Sequence, residues 1–451
     1  MSTAMFALVD VNNMYCSVER VFNPRLEGRP LVVLSSNDGA CIARSNEAKA
    51  LGVQMAQPWF QVRGLQKSHG LVALSANFEL YADMSARMMA IASRYSPQVV
   101  PYSIDEAFID FTGVRGDLTA VCRHLRATVL QELGLPTSVG IAPTKTLAKL
   151  ANHIAKTCDR QPSHYGDAVS RRLAQVCHAG VLSAPELNAL MAATEVGDVW
   201  GVGRKTADRL RAGGVASVLD LVRTDVPTLR RQFSVVLEKT VVELRGTPCA
   251  GVEDAPMARQ QILVSRSFGE AVTQLDGIVE AVSEFASRAA ERLRSQGSVA
   301  GALQVFIRTS PFRQNDRQHS PSAVLPLRPT ADSRRIVSAA CEAARALFRP
   351  GFNYAKAGVM LLDLHDAEQA GRQGVLALQA AEPVGAAPSA DRPALMQAMD
   401  SLNRRFGRGA VRLGSATSAL ANDAGTAAWS VRQDRRTPRY TTRWDELRLV
   451  H

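Results

Sequence analysis

Tyr102 to Asp110 reads YSIDEAFID, and it sets Asp105 and Glu106 side by side between apolar runs. A further acid, Asp10, closes the short apolar run MFALVD. Carboxylates in such surroundings cost several kcal/mol unless something cationic meets them. Asp10 is expected at the C-terminal tip of a buried strand, Met5 to Val9. The acidic pair is expected at the turn of a hairpin whose strands flank Ser103 to Glu106, where both side chains can point the same way. If the first strand lies beside the hairpin, three carboxylates converge. Such a cluster repels itself unless divalent cations sit in it, and hard oxygen ligands suit Mg²⁺. Two such ions about 4 Å apart can hold the attacking and leaving oxygens of an in-line phosphoryl transfer. A solvated hairpin turn, with Asp10 as a cap, accounts for the same residues without any chemistry.

The elements that must position these acids interleave over residues 1–175. RPLVVLSS reads as a strand, IARSNEAKALGV as a helix ending at Gly52, and NFELYADMSARMMAIASRYSP as a helix stopping before Pro97. DLTAVCRHLRATVLQELG is an amphipathic helix, PTSVGIAP a strand and TKTLAKLANHIAK a helix. Residues 176–250 read as helical and hold VWGVGRKTADRLRAGGVASVLDL, two helices flanking a Gly-Val-Gly turn. QILVSRSFGE, ALQVFIRTS and AKAGVMLLDL read as strands, with the helix GIVEAVSEFASRAAERLRSQG among them. Residues 366–393, rich in Ala, Gly, Gln and Pro, read as a linker. Beyond it PALMQAMDSLNRRFG sets Leu395, Met399, Leu402 and Phe406 on one helical face, ahead of an Arg-rich tail. The pattern is α/β or α+β over residues 1–175 and multidomain overall, as 451 residues require.

Composition narrows the class. The net charge of +11 points to a polyanionic partner, usually nucleic acid, although a basic surface can also be merely soluble. Residues 401–451 carry ten arginines against four acids. No apolar run is long enough to span a membrane, and the first residues lack the order of a signal peptide. Seven scattered cysteines with no C-x-x-C argue for a reducing, cytoplasmic setting and against a disulfide framework or zinc site.

FALVDVNNMYCSVERVF, YSIDEAFIDFTG and GIAPTKTLAKLANHIAK resemble the core motifs of the Y-family, the lesion-bypass DNA polymerases. CIARSNEAKALGV, DVWGVGRKTADRL, SRSFGE and TPRYTTRWDEL resemble its UmuC-type branch, the catalytic subunits of bacterial DNA polymerase V. The resemblance runs from about Met5 to the C-terminus. It implies a right-hand polymerase: a palm over 1–25 and 78–175, small fingers over 26–77, and a helical thumb with a helix-hairpin-helix over 176–250. An α/β little finger follows over 258–365, then the linker 366–393 and a basic, partner-binding C-terminal extension over 394–451. It assigns two Mg²⁺ ions to Asp10, Asp105, Glu106 and the carbonyl of Val11. Tyr15 becomes the steric gate beneath the sugar of the incoming nucleotide, next to Met14 where relatives often carry an aromatic. Lys149 meets the triphosphate, Arg44 and Lys49 on the fingers helix contact the nucleotide, and Gly201, Gly203, Arg204 and Lys205 meet DNA phosphate. The implied role is error-prone translesion synthesis in the SOS response, in the cytoplasm at the nucleoid. The implied partners are primer-template DNA, dNTP, the RecA filament and a processed UmuD-type dimer. A sliding clamp is a further partner, although the matching stretch GVLALQAAEP has only Leu376 and Leu378 as apolar anchors. Truncation after about residue 392 is expected to spare basal primer extension.

A catalytically dead DNA-binding adaptor on the same fold would have lost its acids; all three are present. A metal-dependent nuclease would also use clustered acids, but it needs a water-activating base and has no use for Tyr15.

Overall fold

The computed structural model describes residues 4–249, 259–313, 315–367, 391–407, 409–414 and 429–447. They fall into two compact units, one of residues 1–35, 39–255 and 435–451, the other of residues 36–38 and 256–434.

The first unit contains strands β1 (Phe6–Val11), β2 (Leu31–Leu34), β3 (Cys41–Arg44), β4 (Val72–Ser75), β5 (Val99–Pro101), β6 (Glu106–Asp110), β7 (Thr137–Ala142) and β8 (Val176–His178). β1 is apolar on both sides, and such a strand belongs inside a sheet that is covered on both faces. It is the middle strand of the order β5-β6-β1-β7-β8, antiparallel to both neighbours. Phe6 and Leu8 face the Lys145–Arg160 helix and the helices that follow it. Ala7, Val9 and Val11 face the helices Met14–Phe22, Phe78–Ala92 and Leu118–Leu133. A smaller sheet, β3-β2-β4, has its own core around Val32, Leu34 and Val62.

The Lys145–Arg160 helix lies so close to β7 that a Cβ on Gly140 would collide with the backbone of Ala148 and Asn152. Side-chain rearrangement cannot relieve a clash with backbone. Gly140→Ala is therefore expected to cost about 3 kcal/mol and to lower the thermal midpoint clearly. An unchanged midpoint would show that this helix is free to move off the sheet.

Several elements differ from the sequence expectation. Asp10 lies inside β1 rather than at its tip, because pairing with β6 and β7 continues to Val11. Residues 42–44 are strand, not helix: β3 pairs with β2, and the helix starts only after Ser45, whose Oγ accepts from the Ala48 N–H. Residues 176–178 are not helical but run parallel to β7 as the fifth strand of the large sheet. Only a 3-10 turn, Val196–Asp198, precedes the Gly-Val-Gly turn; the helices Arg204–Ala212 and Val218–Arg223 flank Gly213–Gly214 instead.

The second unit holds β9 (Ile262–Val272), β10 (Ser298–Thr309), β11 (Ser322–Thr330) and β12 (Tyr354–Asp366) in the order β11-β10-β12-β9. The helices Leu275–Ser295 and Ser333–Leu347 close its core. β11 and the second helix are additions to the sequence reading; β11 is a sheet edge with Val324 exposed. Trp429 is buried in this core, edge-on to Phe285 at 5.9 Å. The Pro393–Phe406 helix joins the same unit through Met396, only 2% exposed, and through Asp400, 2.7 Å from Arg294. The expected apolar stripe is its outer face: Leu395 and Leu402 are exposed and Phe406 is 65% exposed. The Arg-rich end of the chain, Arg435 onward, packs in the first unit, where Arg435 and Ser75 exchange backbone and hydroxyl hydrogen bonds. Removing residues after 392 would thus strip buried Met396 and Trp429 from the second unit and the hydrogen bonds of Arg435 and Thr437 from the first. Such a truncation removes more than a tail, although the three acids all precede residue 110. GVLALQAAEP lies outside the described residues. No described helix is long and apolar enough to cross a membrane.

Candidate active site

Asp10 and Glu106 are register partners across β1 and β6, so the pleat sends both side chains to the face covered by the Lys145–Arg160 helix. That helix answers with two lysines seven residues apart, which two helical turns bring to the same side. Lys156 Nζ pairs with Asp10, and Lys149 Nζ lies 2.8 Å from Glu106. Asp10 is 5% exposed. Burial pushes its carboxyl up to about 7; the Lys156 charge opposes this and a hydrogen bond shared with Glu106 adds to it. For Glu106 burial also works upward, but the hydrogen bonds from Asp10 and Lys149 and the two lysine charges outweigh it and hold the group below its ordinary range.

Asp105 goes elsewhere. Tyr15 feels its charge: the Tyr15 hydroxyl pKa is raised first by burial and then by Asp105. The Asp105 carbonyl accepts from the Val11 N–H at 2.9 Å, and its Oδ1 accepts from Ser103 Oγ at 2.6 Å. The expected convergence of three acids is therefore incomplete, and among the described residues no close group of three metal-ligating side chains occurs. The donor set nonetheless fits a hard divalent cation in kind, being carboxylate and peptide oxygens only.

Above Asp10 sits a crowd of cations. Lys49 is pushed down to about 8, first by burial and then by the charges of Arg160, Arg44 and Lys156. Burial likewise lowers Arg160, which also feels Asp10 and Arg44. Arg44 gives one nitrogen to the Val53 carbonyl at 2.9 Å, while its Nε is buried without a hydrogen-bond partner. Arg44 stands on β3, not on the expected helix; Lys49 is on the helix and donates to Asn13 Oδ1. Asn46, next in this cluster, accepts from Asn13 at 3.0 Å. Lys156 and Arg160 were missed in the sequence, although Lys145, Lys149, Lys156 and Arg160 follow a 4-7-4 spacing that marks one helical stripe.

Lys149, expected at the triphosphate, is held differently. Its Nζ lies 4.3 Å from the Tyr102 ring centre and 5.4 Å from that of Trp200, whose Nε1 donates to the Tyr102 hydroxyl. Glu243 ties the same helix to the following helices, accepting from Thr146 N–H and hydroxyl. Met14 is buried in the core and does not face the cations. Tyr15 is half-buried and stacks on Tyr81 at 4.4 Å. Gly201, Gly203, Arg204 and Lys205 are all exposed at the start of the Arg204–Ala212 helix, and Gly201 takes the positive φ that its turn requires.

Residues 9–153 match the profile of the impB/mucB/samB family and residues 259–376 that of its C-terminal domain. The chain is 43% identical to Protein UmuC of Salmonella typhimurium, covering 99% of this chain and 100% of that one. The chain belongs to the impB/mucB/samB family. It is a UmuC-like member of the Y-family polymerases. It is 42% identical to Protein MucB of Escherichia coli, with 99% of each chain covered, and 26% identical to DNA polymerase IV 1 of Bacillus subtilis over 90% of this chain and 92% of that one. A Y-family DNA polymerase chimera based on Dbh has the same fold, with a TM-score of 0.60 at 19% identity over 80% of this chain and 99% of its own. Residues 393–450 match a domain of unknown function, and this UmuC-like chain places its described parts in both units.

Proposed function

We propose that this UmuC-like chain is a template-directed DNA polymerase for translesion synthesis, transferring a nucleotide from dNTP to a primer 3′-hydroxyl with loss of pyrophosphate. One observation carries this reading: Asp10 and Glu106, paired across β1 and β6, lie beneath four cations, Arg44 on β3, Lys49 on the helix that follows it, and Lys156 and Arg160 on the Lys145–Arg160 helix. Acids below and crowded cations above suit a nucleoside triphosphate whose phosphates must be held while one bond is exchanged. Asp10, Asp105, Glu106 and the Val11 carbonyl would hold two Mg²⁺ ions, which supply positive charge to the attacking and departing oxygens. Lys156, rather than Lys149, takes the triphosphate with Lys49, Arg44 and Arg160. Lys149 keeps Glu106 in place. Tyr15 lies under the sugar, and the exposed Gly201–Lys205 turn offers backbone N–H groups and charge to a DNA phosphate. Retention of all three acids argues against the inactive adaptor.

The SOS role, the RecA filament and a UmuD-type dimer as partners, and a nucleoid setting are part of the proposal and are supported by the likeness to UmuC. The test is primer extension across an abasic template site with Mg²⁺, with and without activated RecA filament. Extension past the lesion that rises with the filament is expected. Shortening of the primer would instead mean a nuclease, and no change of primer length would mean an adaptor.

The depressed Lys49 gives a pH signature. Its folded pKa lies below the free value, so near pH 8 it loses the charge that a free lysine would keep. The dNTP KM should rise roughly tenfold from pH 7 to 9, and Lys49→Arg, which stays charged, should flatten that rise. Identical profiles for the two proteins would remove Lys49 from the phosphate site.

A further inference from the structure

Behind Tyr15 lies a chain of contacts that leads away from the site. Tyr81, fully buried on the Phe78–Ala92 helix, stacks on Tyr15 with an interplanar angle of 14°. Its hydroxyl donates to Glu19 Oε1 at 2.6 Å. Glu19 is one helical turn beyond Tyr15 and is 1% exposed. The same Oε1 accepts from Thr437 Oγ1 at 3.2 Å. A buried acid needs its donors, and one of the two comes from the far end of the chain.

The surrounding contacts show why Thr437 is there. Asn77, buried at the start of the helix that carries Phe78 and Tyr81, donates to the Thr437 carbonyl, the Thr437 hydroxyl and the Pro438 carbonyl at 3.0–3.2 Å. Arg439 pairs with Glu79 on the same helix at 2.7 Å. Tyr440 stacks on Phe22, the last residue of the helix that carries Tyr15 and Glu19, at 4.9 Å and 3°. The segment thus grips both helices whose aromatic rings meet at Tyr15, one at its beginning and the other at its end.

We propose that Arg435–Glu446 is a positioning element of the nucleotide site, which fixes the Tyr15 ring through Thr437, Glu19 and Tyr81 and so sets discrimination against ribonucleotides. The proposal rests on the reading of Tyr15 as the sugar gate. A ring held on its rear face cannot tilt away from a 2′-hydroxyl, whereas a ring whose backing has lost its anchor can. Thr437 touches no substrate; it acts through Glu19 and Tyr81.

The experiment measures rNTP and dNTP incorporation by the full-length chain in one preparation, as the ratio of kcat/KM values, which does not depend on the fraction of active protein. Tyr15→Ala is the control. Thr437→Val keeps the shape and removes the hydroxyl, Tyr440→Ala loosens the segment, and Tyr81→Phe breaks the relay without touching it. Each of the three should raise the ratio of rNTP to dNTP use roughly fivefold to tenfold, the effect of one hydrogen bond lost from a positioning network. Thr437→Ser should restore the wild-type ratio. If Tyr15→Ala leaves the ratio unchanged, the gate reading fails and this proposal with it. If Tyr15→Ala raises the ratio while Thr437→Val and Tyr81→Phe keep the wild-type value, the gate stands and the positioning role of the segment is overturned.

Discussion

Replacing Asp105 or Glu106 with alanine is expected to abolish nucleotide addition, by roughly three orders of magnitude or more, with primer-template affinity within about twofold of wild type. On the proposed reading DNA is held by the exposed backbone and basic groups of the Gly201–Lys205 turn, so loss of an acid should not loosen it. Asp105→Ala is the cleaner variant. Glu106 is tied to Lys149, and its removal also frees a lysine, whereas Asp105 accepts from Ser103. A gel-shift titration beside single-turnover extension, at increasing Mg²⁺, measures both quantities. Near-normal extension by Asp105→Ala would remove that acid from the metal site.

The second large effect separates two lysines on one helix. Lys156→Gln should raise the dNTP KM by about two orders of magnitude, as expected for a charge lost from a phosphate cluster. Pyrophosphate inhibition should weaken by a similar factor, because the product carries the same phosphates. Lys149→Gln should leave pyrophosphate inhibition close to wild type and lower kcat, since Lys149 meets Glu106 and two aromatic rings. If the two variants exchange these signatures, Lys149 is the triphosphate lysine after all.

Legibility in the sequence followed the range of the interaction. β1 was visible as an apolar run because burial on both faces leaves no polar residue before Asp10. The hairpin was visible because Ser103 to Glu106 breaks two such runs. What strand alternation does to Asp105 and Glu106 depends on where β6 begins, and pairing with β1 decides that, not the local sequence. The helix-favouring composition of IARSNEAKA predicts a helix at Arg44. The Ser45 cap and pairing with β2 overrode it. Lys156 and Arg160 carried a readable signal in the stripe spacing, which a charge on a helix rarely earns attention for unless its partner is known. The Pro393–Phe406 helix shows the opposite failure: the apolar stripe was correct as a pattern, yet Met396, off that stripe, is the buried contact. Nothing local to Thr437 announces Glu19.

The Thr437–Glu19 hydrogen bond joins residues 418 positions apart. Synthesis proceeds from the N-terminus, and early domains fold while the rest is still being made. Glu19 and Asn77 are therefore made hundreds of residues before Thr437, and until then Tyr81 alone of the two donors is there for Glu19. The nascent chain can assemble its central sheet and stack Tyr81 on Tyr15, yet the Thr437 anchor behind them is absent through most of translation. A ribosome stalled before residue 435 would display a partly finished polymerase in which Tyr15 and Tyr81 lack their C-terminal anchor. Completion of the site is thereby timed by elongation itself, and a cut that frees the last few dozen residues would return the protein to that unfinished stage.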